Sequence, residues 1–118
     1  MTVLVAVPES PEGRRALAAA AAEARILQTD LIVYNLGIRR LEVSDLPTNV
    51  ELRVVERSGH HEPADLVLDY LEENPGISRL VIGMKRRTPV GKAVFGSISQ
   101  RLLLEARVPV LAVKIDTD

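Results

Sequence analysis

The residues best suited to chemistry lie together, in Gly83-Met84-Lys85-Arg86-Arg87-Thr88-Pro89-Val90-Gly91-Lys92-Ala93-Val94-Phe95-Gly96-Ser97. An apolar run, Leu80-Val81-Ile82, precedes this stretch, and a helical pattern from Ile98 to Arg107 follows it. The order predicts a strand, then a loop, then a helix N-terminus. Such a terminus offers unpaired backbone N–H groups and a partial positive charge. Three glycines let the backbone approach a ligand closely, and Lys85, Arg86, Arg87 and Lys92 add positive field. The chemistry this favours is anion binding. Gly83, Arg86, Lys92, Gly96, Ser97 and Ile98 are the candidates to hold phosphate groups through backbone and cations.

Each of these residues also has a plainer reading. Gly83 could serve only to turn the chain after a strand. Ser97-Ile98-Ser99-Gln100 fits a capping box, with Ser97 as the N-cap and Gln100 reaching back to it. The four cations could be solvated loop charges. Arg86 could clamp phosphates bidentately, or its side chain could fill the space a ligand needs. His60-His61-Glu62 reads as a solvated turn, because adjacent turn residues rarely converge on one metal ion. Tyr70 and Phe95 read as core packing. No nucleophile–base pair, metal cluster or Walker lysine is visible, so nothing in the sequence speaks for catalysis.

The elements that must position this loop follow from hydrophobic patterning. Val3 to Val7 and Leu31 to Leu36 are continuous apolar runs, as expected of strands covered on both faces. Between them the alanine-rich segment from Glu12 to Gln28 predicts a helix, with Leu17, Ala20 or Ala21, Ala24 and Leu27 as its inner stripe. Gly37 to Asn49 has no clear period and reads as loop. Glu51 to Arg57 is a more polar run suited to a sheet edge. A helix from Ala64 to Asn74 buries Ala64, Val67, Leu68 and Leu71, and Pro75-Gly76 stops it. Arg79 to Ile82 is a fourth strand, and Val110 to Lys114, opened by Pro109, a fifth near an edge. The order β-α-β-β-α-β-α-β predicts an α/β fold: an open, mostly parallel five-stranded sheet, order 3-2-1-4-5, with helices on both faces. Ligands of such sheets bind beyond the carboxyl ends of the strands at the topological switch point. Here that point lies between the first and fourth strands, where the glycine-rich loop begins.

Composition narrows the function further. A chain of 118 residues is expected to form one domain, 1–118, with a sizeable core. Its net charge of −1 argues against an electrostatic nucleic-acid binder. It has no cysteine, which removes disulfides, thiolate catalysis and cysteine-based zinc sites. The opening Met1-Thr2-Val3-Leu4-Val5-Ala6-Val7-Pro8 lacks a charged leader and is too short for a membrane span. A cytoplasmic protein with no membrane partner is the expectation.

With these residues in hand, the chain resembles a universal stress protein, whose fold is of the adenine-nucleotide alpha-hydrolase-like kind. That family has a strand, then Gly-x2-Gly-x9-Gly-[Ser/Thr], then a helix and a final strand opening on Pro-Val. Gly83, Gly96 and Ser97 fall on three of the four fixed positions, and Val108-Pro109-Val110-Leu111-Ala112-Val113 matches the close. Val3 to Val7, Ser10 and Arg14-Arg15-Ala16-Leu17 resemble the first strand and helix. Arg86 stands where the family has its second glycine. Pro8 stands where ATP-binding members usually carry an acidic residue near the ribose.

The resemblance implies ATP or another adenine nucleotide as ligand, with or without Mg2+, on a stress-response dimer. It implies Ala6, Val7, Pro8 and Leu36 as the lining of the base and ribose pocket. It also implies a homodimer formed through the strand 110–114. An exposed apolar edge at that strand points the same way. The alternatives are a protein-interaction module of the same fold that binds no nucleotide, and a slow ATPase.

Overall fold

The computed structural model describes residues 1–47, 49–59, 61–87 and 92–117. Strand β1 (Thr2–Val7) leads into helix α1 (Pro11–Leu27), strand β2 (Asp30–Asn35) and strand β3 (Leu52–Glu56). Helix α2 (Pro63–Glu73), strand β4 (Ile77–Arg87), strand β5 (Lys92–Val94), helix α3 (Ser97–Glu105) and strand β6 (Val110–Thr117) complete the chain. The parallel ladder runs β3-β2-β1-β4-β6, which is the predicted order with β6 as the fifth strand.

Strand residues alternate between two cores, as the period of two requires. Val3, Val5, Val7, Leu31, Val33 and Val81 pack with the α1 stripe Ala16, Leu17, Ala20, Ala21 and Ala24. Leu4, Ala6, Ile32, Tyr34, Leu80 and Ile82 pack on the other face with Ala64, Val67, Leu71 and Leu102 of α2 and α3. Both faces of the sheet are therefore covered, which explains why β1 and β2 read as unbroken apolar runs. Tyr70 and Phe95 are partly buried against the second core, as expected. Tyr70 meets Tyr34 edge to face, with ring centroids 5.5 Å apart.

The main departure from expectation concerns the segment after Ile82. It does not leave the sheet as a loop. β4 continues to Arg87, and β5 folds back antiparallel on it through Lys85↔Val94, Arg86↔Ala93 and Arg87↔Lys92. On its other side β4 pairs with β6 as far as Arg87↔Thr117. The backbone of Lys85 to Arg87 thus has ladder partners on both edges, and those bonds outweigh the poor strand propensity of a cationic run. Because β6 takes one edge, β5 must lie on the edge that β1 uses further back. The hairpin therefore extends the sheet beyond the carboxyl end of β1. Residues 88–91, the middle of the expected loop, lie outside the described residues.

The ends of α1 and α3 matter for the site. Ser10 caps α1, its hydroxyl accepting from the Gly13 N–H at 3.1 Å, and Pro11 follows in the first turn. At its other end Gln28 takes a left-handed conformation, with φ 54°. α3 is tied to α2 by Arg101, which bonds Asp65 and, at 2.8 Å, Glu105. Glu62 adds a third carboxylate 3.7 Å from the same guanidinium.

Candidate functional site

The switch point lies beyond the carboxyl ends of β1 and β4, and two helix N-termini face it. The first belongs to α1 and is already occupied. Ser10 satisfies one N–H, and Glu12 places a carboxylate in the first turn, where the helix dipole favours negative charge. One oxygen of Glu12 is buried without a hydrogen-bond partner, and the carboxylate lies 3.9 Å from the Lys85 ammonium. The second N-terminus belongs to α3 and is open. Its N-cap is Gly96, no side chain caps it, and its first turn carries no acidic residue.

Two expectations change here. Ser97 is the first helical residue of α3, not its N-cap, so the capping box with Gln100 does not form. The Gln100 N–H instead bonds the Gly96 carbonyl at 2.9 Å. Gly83 is not a turn residue. It sits buried inside β4, and an added Cβ would fall on the Glu12 carbonyl, 2.6 Å from its carbon. The glycine is needed so that α1 can press onto the sheet. The implied pocket lining is mostly buried. Ala6, Val7 and Leu36 are core residues, each no more than 3% exposed, and Pro8 alone of that set lines an open cleft.

The other candidates divide between the hairpin and α3. Gly96 and Ser97 are exposed, and a Cβ on Gly96 would meet nothing within 4 Å. Ile98 is half-buried against the α2–α3 core. Arg86 is exposed in β4 with its backbone paired to β5 and β6. Lys92 opens β5, and its side chain lies outside the described residues. His61 is exposed, whereas His60 lies outside the described residues. Among the described residues no three His, Asp or Glu converge as a metal site.

A cleft of about 420 Å³ adjoins the switch point on the β1–β2 side, lined among others by Pro8, Ser10, Arg14, Asn35, Arg39 and Arg40. Its outer wall is the loop after β2, and Asn35 shapes that loop. This side chain is fully buried. Its amide nitrogen donates to the Arg39 carbonyl at 2.9 Å and to Glu56 at 3.0 Å, and its oxygen accepts from the Gly37 N–H at 3.0 Å. Sequence reasoning treated Asn35 only as part of a strand. A buried polar residue that ends an apolar run just before a glycine was the available signal. Asn35→Ala should lose about 1–3 kcal/mol in denaturant unfolding, because three polar partners are left unpaired. Unchanged stability would mean that water replaces the amide without cost.

A larger cavity of about 810 Å³ opens at the opposite end of the sheet, lined by residues that include Met1, Leu27, Asp30 and Glu51. It faces the amino ends of β1 and β2, away from the end where open parallel sheets bind ligands.

Comparison with known proteins agrees with this geometry. A sequence model of the universal stress protein family matches residues 38–114. A universal stress protein of Mycolicibacterium smegmatis is 32% identical over 127 aligned positions, covering 95% of this chain and 96% of that protein. A universal stress protein structure from Archaeoglobus fulgidus superposes with a TM-score of 0.73 at 26% identity, over 97% of this chain and 98% of the other. A structure of the Archaeoglobus fulgidus protein in complex with dAMP superposes at 0.69 with 25% identity, again over 97% and 98%.

Proposed function

Because the chain belongs to the universal stress protein family, we propose that it binds ATP or another adenine nucleotide at the switch point and acts as a cytoplasmic, stress-related homodimer. The observation that carries this reading is the open N-terminus of α3. Gly96 and Ser97 are exposed, no side chain caps the terminus, and its first turn carries no acidic residue. A phosphate there gains hydrogen bonds and the favourable end of the helix dipole. The ribose and base then lie over Pro8 towards the 420 Å³ cleft. A relative that forms a complex with dAMP supports the ligand class. No described helix is long and apolar enough to cross a membrane.

The test is a substitution at Gly96. A Cβ there has free space in the protein, so Gly96→Val should leave the domain folded. It should nevertheless cost at least tenfold in ATP affinity by calorimetric titration with magnesium, about 1.4 kcal/mol, because the branched side chain stands between backbone and phosphate. Equal affinity in both proteins would remove α3 from the site.

One observation favours a second reading, an interaction module without nucleotide. The Glu12 carboxylate lies 3.9 Å from the Lys85 ammonium, so the β4 side of the switch point already holds a negative charge. Nucleotide that fails to copurify and fails to bind at millimolar concentration would establish that alternative.

A further inference from the structure

The cleft beside Pro8 carries more positive charge than a neutral base or an unsubstituted ribose requires. Three arginines line it, Arg14 on α1 and Arg39 and Arg40 on the loop after β2. Two carboxylates share the lining, Glu9 and Glu42, so three arginines face two acids and the cleft keeps one positive charge in excess. Glu9 lies 3.7 Å from Arg39. Glu42 accepts from the Ser44 hydroxyl at 2.7 Å and from its backbone N–H at 3.4 Å, and these bonds hold its carboxyl below the usual range. Arg14 and Arg40 form no ion pair among the described residues. The loop that presents Arg39 and Arg40 is fixed before any ligand arrives, since buried Asn35 holds the Arg39 carbonyl and the Gly37 N–H. Arg57 adds a further bond, donating to the Leu36 carbonyl at 3.3 Å.

In dinucleotide-binding doubly wound sheets an acid beside the ribose accepts from a free hydroxyl, whereas an arginine nearby accommodates a phosphate carried on it. In this chain Arg39 and Arg40 follow β2, and Arg14 faces them from the first turns of α1. Arginines on two sides of a cleft suit a phosphate monoester, which can accept several charge-assisted bonds at once. We propose that Arg14, Arg39 and Arg40 bind a phosphate on the 2′ or 3′ oxygen of the ribose, so that the site prefers an adenosine bisphosphate to a nucleotide with 5′-phosphate alone. This rests on the reading that an adenine nucleotide lies across the switch point with its 5′-phosphate at α3.

Calorimetric titration at fixed ionic strength tests it with four probes: 5′-AMP, adenosine 3′,5′-bisphosphate, adenosine 2′,5′-bisphosphate and inorganic phosphate. The expected result is that one bisphosphate binds at least tenfold tighter than 5′-AMP. The double variant Arg14→Gln, Arg40→Gln should bring that ratio to within twofold of one. Both side chains are exposed, so the fold should survive; if the double variant fails to fold, Arg40→Gln alone should still lower the ratio at least threefold. A bisphosphate no tighter than 5′-AMP, or an advantage that survives the substitutions, would overturn the proposal while leaving adenine nucleotide binding intact. Inorganic phosphate that binds as tightly as the bisphosphate would also overturn it, by showing a free-phosphate site. If no adenosine probe binds the wild-type protein, the nucleotide reading fails and this inference fails with it.

Discussion

Gly83→Val should unfold the domain, and Gly83→Ala should cost about 3 kcal/mol or more. A Cβ at this position lands on backbone, the carbonyl group of Glu12, with the Glu12 carbon 2.6 Å away. Backbone in the first turn of a capped helix cannot rotate aside as a side chain can. Either α1 lifts from β4 or the strand bends. Lifting α1 loosens the stripe Ala16, Leu17, Ala20, Ala21 and Ala24 from Val81 and its neighbours. Overpacking of well-packed cores costs about 1–3 kcal/mol even where side chains can adjust, and domains of this kind have only about 5–15 kcal/mol to lose. Thermal unfolding should show the alanine variant melting roughly 10 °C or more below wild type. Gly76 supplies the control, since a Cβ there meets nothing within 4 Å and Gly76→Ala should change stability by less than about 1 kcal/mol. A Gly83→Ala variant as stable as Gly76→Ala would mean that this close approach is not what holds α1 in place.

The second large effect is expected in solution mass. β6 pairs with β4 alone, and no other described strand covers its far edge. The register fixes which groups face outward. The Leu80 N–H bonds the Pro109 carbonyl at 2.9 Å, so alternate β6 residues from Pro109 onward turn their backbone groups to β4. Ala112 lies between those positions, and its N–H and carbonyl point to the open edge. Leu111 is 39% exposed beside it. Pairing with a second copy across a two-fold axis would satisfy the edge and cover Leu111. Light scattering at micromolar concentration is expected to give twice the 12.9 kDa chain mass. Ala112→Pro removes an outward donor while sparing the β4–β6 ladder, and Leu111→Lys places a charge at the interface. Each should leave a folded monomer. A monomeric wild-type protein at high concentration would refute the dimer outright.

The sequence alone determined the architecture. Continuous apolar runs in Val3 to Val7 and Leu31 to Leu36, with helical stripes between strands, leave few arrangements other than a parallel sheet covered on both faces. The polar run at Glu51 to Arg57 marked β3 as an edge, and the alternation with helices gave the order. It also located the switch point and, to within one residue, the start of α3, although the Ser97 capping box that marked it does not form.

What only the tertiary structure decided depends on partners distant in sequence. Gly83 reads as a turn until Glu12, more than seventy residues earlier, is seen against it; its role is close packing. Met84 to Arg87 reads as a basic loop until β6 supplies one ladder and β5 another. Resemblance implies Ala6, Val7 and Leu36 as pocket lining, and only the tertiary structure shows that all three side chains are buried. The arginine-lined cleft was invisible for the same reason: Arg14 and Arg39 are twenty-five positions apart, and buried Asn35 is what folds the second towards the first. Periodicity and propensity are local properties, whereas the close approach of two backbones and the convergence of charges on one cleft depend on how the chain packs.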